Sequence, residues 1–434
     1  MKKTVRIIMV SAVLIAMLAV SAFAANFEHC ADALNEIGLF RGTQNGYELD
    51  RAPTRAEAAT MLVRLLGAEE DALSLAYTAP YTDVADWAKP YVQYLHNNGL
   101  TKGTSETLFG YSDKCTAQQY ATFLLRALGY ADGEGKDFTY TEALVFGESV
   151  GVVDFVNCRG DEFLRDNVAA MSYTALSVAP KSGEADLLTK LKTDGAVSDD
   201  KGYISFFENY RKYVEASKTV NEVTTLSTDI KMSMVSSVAG VENMKIDYDL
   251  TLAADIDTKN PDSSKMMYEG NITALTEMDE GKMDVEMPMS FYFADGYMYV
   301  NVSGQKQKAE LSYSEALKTM DLDMQTEANP ICIIEDIEVK KTADGYETYT
   351  VTCAPGGVSA VAGMVQAVDT PEYAELTVSA KLRSGKLISM SGNMKISVPQ
   401  GEQTADVSVV YEMTNIKTGA DVKITAPKDL DEYK

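Results

Sequence analysis

A helical apolar stripe that returns twice limits what the first half of this chain can fold into. Ala59, Leu62, Val63 and Leu66 fall at i, i+3, i+4 and i+7, which is one face of a helix. The same face returns 62 residues later as Ala121, Leu124, Leu125 and Leu128, and 110 residues later as Ala169, Ser172, Tyr173 and Leu176. Upstream, NEIGLFRGT is echoed by HNNGLTKGT, with Gly38 and Gly42 matched by Gly99 and Gly103; a third copy, GESVGVVDF, is looser. Each unit of about 50 to 60 residues reads as a helix, a glycine-bearing loop and a second helix. Such units bury their stripes only against one another.

The second helices also share a start signal. Thr54 with Glu57, and Thr116 with Gln119, have the form of a capping box. The third copy departs, with Leu164 at the cap and Asp166-Asn167 where the first has Ala-Glu. Arg55 is out of place by electrostatics, because a cation in the first turn sits at the positive end of the helix dipole. Arg165 occupies the matching position in the third copy, whereas the second has Ala117. Arg64 and Arg126 fall near helix ends, where a cation suits the dipole and needs no ligand.

YTDVADWA at 81–88, the G-L-x-x-G-T loops and TRAE before an amphipathic helix together resemble the S-layer homology domain, normally found as a triplet. The resemblance covers about the first 155 residues after the leader. It implies an all-α, pseudo-threefold module whose grooves hold secondary cell-wall polymers linked to peptidoglycan, a noncovalent clamp of bacteria of the Gram-positive type. In that frame Arg55 has a role. A guanidinium beside unpaired helix-start amides makes a site for a carboxylate or phosphate on the polymer. The competing reading is an arginine paired with Glu57 or Asp50. The polymer-binding set expected from the resemblance is Thr54, Arg55, Glu57, Asp83, Trp87 and Arg165, with one or two working grooves. Trp87 reads either as a groove wall for a sugar ring or as a core anchor, and Asp83 either as a cap or as a partner of sugar hydroxyls.

The N-terminus carries Lys2, Lys3 and Arg6, an apolar run from Ile7 to Val20 and small residues up to Ala24, which reads as a secretory signal peptide. No other segment approaches the roughly 20 apolar residues of a membrane span. Cys30 lies too far beyond Ala24 for a lipoprotein cysteine, and ITAPKDLDEYK has no hydrophobic tail. A surface protein of this kind is expected to hold on noncovalently. Formal charge is −25, or −28 without the leader's three basic residues, which disfavours nucleic acid and anionic membranes as partners. An anionic partner must therefore be gripped by local arginines. The five cysteines are too scattered for a disulfide framework; Cys332 and Cys353 flank a predicted hairpin and read either as a pair or as buried small hydrophobes.

From about Asn221 the period becomes alternating. Strands are expected within 228–237, 244–255, 289–302, 334–353, 374–398 and 405–414, with turns at Asp295-Gly296, Asp344-Gly345 and Ser384-Gly385 and helices near 313–320 and 356–368. FADGYMYVNVSGQKQK and DVKITAPKDLDEYK are similar to secreted bacterial half-barrel proteins of the lipoprotein-carrier class, which implies a concave apolar cavity for a hydrophobic ligand. Met287, Met289, Met298, Met390 and Met394 would line such a cavity or form plain core. Only two histidines, His29 and His96, occur, and both precede this half, which excludes histidine triads and most zinc sites there. The chain is expected to be no enzyme, with no catalytic residues, metal or cofactor.

The expected fold is multidomain: a signal peptide at 1–24, three helical repeats in 25–180 (about 26–68, 80–130 and 137–180), a partly helical linker at 181–218, and an antiparallel β-rich, half-barrel-like α+β domain at 219–434. The expected function is noncovalent anchoring of a secreted surface protein to cell-wall polymer, displaying the β-rich domain. A lattice-forming S-layer subunit, which requires self-association, is the rival; a wall-acting hydrolase ranks last.

Overall fold

The computed structural model describes residues 20–21 and 27–434, apart from 155, 159–161, 184, 198–201, 222, 239–240, 258, 279–280, 320–329, 363–367, 370–372 and 401–402. Apart from Val20 and Ser21, the expected signal peptide lies outside the described residues. The chain forms two compact units, one of Phe23–Arg211 with Asn329–Ile334, the other of Met1–Ala22, Lys212–Ala328 and Glu335–Lys434.

The first unit is helical. It contains α1 (Glu28–Glu36), α2 (Arg55–Leu65), α3 (Glu69–Leu73), α4 (Lys89–Asn97), α5 (Ala117–Ala127), α6 (Ala143–Val150), α7 (Arg165–Leu176) and α8 (Leu187–Thr193). The three related helices, α2, α5 and α7, each touch the other two. Around them the outer helices are exchanged between copies: α4 packs on α2, α6 on α5, and α1 on α7. This explains a difference from the one-stripe expectation. A helix touching two siblings and an outer helix is enclosed on nearly all sides, and all twelve residues of α7 are buried. Small residues permit the close approach; Ala56, Ala58 and Ala59 of α2 are fully buried.

Residues 187–193, expected in a linker, belong to this helical packing, with Leu187, Leu188 and Leu191 buried, and the expected linker continues into α9 (Tyr203–Asn221). A segment from far along the chain joins it too. Ile331, Cys332, Ile333 and Ile334 are buried, and the turn at Ile331–Ile333 packs on α7. The Cys30 thiol donates to the Cys332 carbonyl at 3.5 Å. Cys332 and Cys353 are free thiols in different units, which overturns the pairing option.

The second unit is built on an eleven-stranded antiparallel sheet: β1 (Thr225–Val238), β2 (Val241–Asp255), β3 (Lys265–Met278), β4 (Gly281–Ala294), β5 (Tyr297–Val302), β6 (Gln305–Glu310), β7 (Ile334–Lys341), β8 (Tyr346–Cys353), β9 (Tyr373–Arg383), β10 (Lys386–Gln400) and β11 (Gln403–Thr418). The spatial order is β6-β5-β4-β3-β2-β1-β11-β10-β9-β8-β7, an open meander joined in its middle by β1 and β11. Asp295-Gly296 and Ser384-Gly385 have positive φ at both residues, as a tight hairpin requires; at Asp344-Gly345 only the glycine does. Strand β3 is additional to the expected strands. Its Gly270 is required by close approach, since a Cβ there would stand 2.0 Å from the Asp249 carbonyl oxygen.

One face of this sheet is apolar. Met234, Ile246, Tyr248, Ile272, Met289 and Val409 form a cluster with Met287 and Met394 packed against it. Met298 joins Phe291, Phe293, Met266 and Ala316 in a second cluster, to which α10 (Tyr313–Thr319) contributes the alanine. Met390 is partly buried and outside both. α11 (Pro355–Ala362) packs beside β9.

Candidate functional site

The loop 109–113 of the second repeat runs antiparallel to the entry of α2. The amides of Arg55 and Ala56 donate to the carbonyls of Asp113 at 2.8 Å and Tyr111 at 3.3 Å, and Cys115 donates back to Pro53 at 2.9 Å. The Thr54–Glu57 capping box is formed, with the Glu57 amide on Thr54 Oγ1 at 3.2 Å and the Thr54 amide on the Glu57 carboxylate at 2.7 Å. The helix-start amides are therefore occupied, and the expectation of unpaired amides fails: a neighbouring loop satisfies them. What this entry offers an anion is the side chain alone.

Arg55 is only 5 % exposed. Its guanidinium carbon lies 5.0 Å from the centroid of Phe109 and 4.8 Å from that of Phe123, and Nε donates to the Phe109 carbonyl at 2.9 Å. Among the described residues no carboxylate lies within 4.0 Å of it and its two terminal nitrogens have no hydrogen-bond partner, so the pairing with Glu57 or Asp50 is not formed. Burial lowers its pKa, opposed by weaker attraction from Cys115 and Tyr140. Stacking on two rings offsets part of that burial, by about 0.5 to 2 kcal/mol per ring. Gly110 makes room for the stem: its φ is +79°, and a Cβ there would strike Thr104 at 2.7 Å and touch Arg55 Cδ at 3.4 Å.

The same loop is held from its other side by residues of the Y-T-D-V-A-D-W-A stretch. The Asp83 carboxylate accepts from the amides of Phe109 at 2.7 Å, Gly110 at 2.8 Å and Tyr111 at 3.1 Å. Burial, which by itself raises this carboxyl, is outweighed by those three donors, and its pKa is lowered. Asp83 is thus a cap, of a loop and not of a helix. Trp87 is 49 % exposed and donates Nε1 to the Tyr111 hydroxyl at 3.2 Å, with the two rings edge to face. That excludes the core-anchor reading. Loop 109–113 therefore gathers Arg55, Asp83 and Trp87.

Arg165 repeats the geometry on the loop one copy away. The amides of Arg165 and Asp166 donate to the carbonyls of Arg51 at 2.9 Å and Leu49 at 3.1 Å, and Arg165 Nε donates to the Tyr47 carbonyl at 2.7 Å. Residues 47, 49 and 51 are each 62 positions before 109, 111 and 113, the repeat offset itself. At the departed cap, Asn167 Oδ1 takes the place of the glutamate and accepts from the Leu164 amide at 2.8 Å. The electrostatics differ. Glu57 stands 3.9 Å from Arg165 and is gripped by both terminal nitrogens of Arg51, at 2.7 and 2.9 Å. Burial alone would raise the Glu57 carboxyl, but Arg51, the Thr54 amide and Arg165 together lower it, so it stays a carboxylate. Arg51 was not expected to matter; it lies in an aperiodic loop and its tie to Glu57 comes from tertiary geometry.

No family model matches the chain. Over 109 residues it is 35% identical to a middle cell wall protein of Brevibacillus brevis, covering 24% of this chain and 10% of that one. Over 144 residues it is 33% identical to a surface layer protein of Brevibacillus choshinensis, covering 30% and 13%. A cell surface glycoprotein 1 of Acetivibrio thermocellus is 34% identical over 97 residues, covering 22% and 4%. Part of this chain is related to bacterial wall and surface-layer proteins. The matched part spans about a tenth of the length of the first two relatives and less of the third. Among solved structures, LprF from Mycobacterium bovis is similar over 51% of this chain and 97% of its own, at 12% identity and a TM-score of 0.26. A LolA superfamily protein from Nitrosomonas europaea is similar over 51% and 96%, at 10% identity and a TM-score of 0.17. Among the described residues no helix is long and apolar enough to cross a membrane, and no group of three or more metal-ligating side chains occurs.

Proposed function

We propose that the helical unit is a triplet of S-layer homology type that anchors a secreted surface protein noncovalently to an anionic secondary cell-wall polymer, with Arg55 as the binding charge. The observation that carries this is the Arg55 guanidinium, buried and without a carboxylate among the described residues. A buried charge with no counter-ion is costly, and an arriving carboxylate or phosphate relieves that cost while gaining a charge-assisted bond. The names of the relatives support a wall or surface location. In this reading Trp87 offers its exposed ring to a sugar beside the anionic group. Asp83, Thr54 and Glu57 are positioning residues, the first holding loop 109–111 and the other two the start of α2. Arg165, already facing Glu57, contributes to the fold more than to binding. The sheet unit is what the anchor displays, and no catalytic role is assigned to it.

The test is co-sedimentation of the full chain with purified walls before and after acid stripping of their polymer. The full chain is required because residues 330–334 are part of the helical unit. Binding that disappears on stripping and is weakened by Arg55→Ala supports the reading. Equal binding to stripped walls, or no binding to either, rejects it.

A further inference from the structure

The sheet unit has a cavity of its own, away from its apolar face. Strand register sets Glu269, Ser290 and Asn301 side by side across β3, β4 and β5, and Met267, Tyr292 and Tyr299 in the next row on the same face. The C-terminal residues lie over these rows. Lys308 donates its amide to the Lys434 carbonyl at 2.9 Å, the Tyr433 ring stands edge-on to Tyr299 with centroids 5.6 Å apart, and Lys306 pairs with Asp429 and Glu432. Between this strap and the strands is a cavity of about 160 Å³ whose lining includes Glu269, Ser290, Tyr292, Asn301, Asp429 and Tyr433.

Size and chemistry narrow what it can hold. Pockets for drug-sized ligands run to roughly 300–1,000 Å³, so this one has room for a single small ring. Tyr292 and Tyr433 are buried and supply aromatic surface. Asn301 spends its carbonyl oxygen on the Gly304 amide at 3.0 Å, which leaves its NH₂ group to donate. The Ser290 hydroxyl and the Glu269 carboxylate have no protein partner among the described residues. One donor, one acceptor and one group that does both, beside aromatic surface, suit the hydroxyls and the apolar C–H face of a sugar. Two carboxylates, Glu269 and Asp429, line the cavity, and Lys306 is already committed to Asp429 and Glu432. An anionic sugar would meet repulsion.

We propose that this cavity binds one neutral or amino-sugar residue of a glycan. The site is separate from the Arg55 loop and opposite to it in charge, and it stands whether or not that loop grips a polymer. Saturation-transfer NMR on the full chain, with methyl β-glucoside, glucosamine and glucuronate as probes at millimolar concentration, tests it. Transfer to the first two and not to glucuronate is expected. Ser290→Leu, which fills the cavity, should abolish it, and Glu269→Ala, at an exposed position, should weaken binding about tenfold. Arg55→Ala should leave it unchanged. The proposal is overturned if neither glucoside nor glucosamine shows transfer, if transfer persists undiminished in Glu269→Ala, or if glucuronate binds as well as they do.

Discussion

Arg55 and Arg165 occupy the same place in two copies of one repeat, yet among the described residues only Arg55 lacks a counter-ion. Both begin a central helix, both are buried, and both give Nε to a carbonyl of a loop from another copy. The difference lies in the residues around them. Arg55 rests between Phe109 and Phe123 with no carboxylate nearby among the described residues, whereas Arg165 faces Glu57, which Arg51 also holds. Two copies can thus share their backbone geometry and differ in whether a carboxylate of the chain faces the arginine. The second copy, with Ala117 at the matching position, has lost the charge itself.

The largest effect that could break this comparison is on binding. Arg55→Ala should weaken wall binding about 10- to 100-fold, the value of a charge-assisted hydrogen bond, while Arg165→Ala changes it by less than about threefold in the same sedimentation assay. Stability should rank the other way. Arg165→Ala strands the Tyr47 carbonyl and should cost about 1–3 kcal/mol in urea denaturation; Arg55→Ala should cost less, because it also removes a buried charge without a counter-ion.

Glu57→Gln sharpens the comparison, since glutamine preserves the capping box, as Gln119 does with Thr116. It removes the charge facing Arg165. Wall binding should rise about two- to fivefold, the scale of a partly screened ion pair, and the gain should vanish in Glu57→Gln/Arg165→Ala.

A last prediction separates titration from either arginine. His29, partly buried beside the Cys30 thiol, has its pKa lowered to about 4, mainly by burial. Between pH 6.5 and about 4 the unfolded chain takes up a proton on this ring that the native chain refuses. Stability should therefore fall as pH is lowered through that window and stop falling from this cause below it. Thermal melts of His29→Asn should lack that slope; an unchanged slope would reassign it.

The repeats were legible because a packed helix must keep its apolar stripe and its cap, and both recur at the offset of 62 residues. The same offset relates the loop carbonyls that receive the α2 and α7 entries. The helix-start amides were misjudged because their partners come from another copy, which no local pattern announces. Ile331–Ile333 carried no assignment, since a short apolar run does not reveal whether it enters a sheet or a helical core, whereas the strand expected from Ile334 does begin there. Strand β3 had a readable signal in the alternation of Met266, Tyr268, Ile272 and Ala274, but Gly270 and Asn271 interrupt it with residues depleted in strands.

The chain's single tryptophan permits the most direct test, because Trp87 sits on Tyr111 in the loop that holds Arg55. Its fluorescence would be titrated with polymer released from walls, in wild type, Arg55→Gln and Arg165→Gln. A saturable change in wild type and Arg165→Gln that is absent from Arg55→Gln is the predicted result. An equal response in Arg55→Gln, or one lost only in Arg165→Gln, would contradict the assignment of the anion site to Arg55.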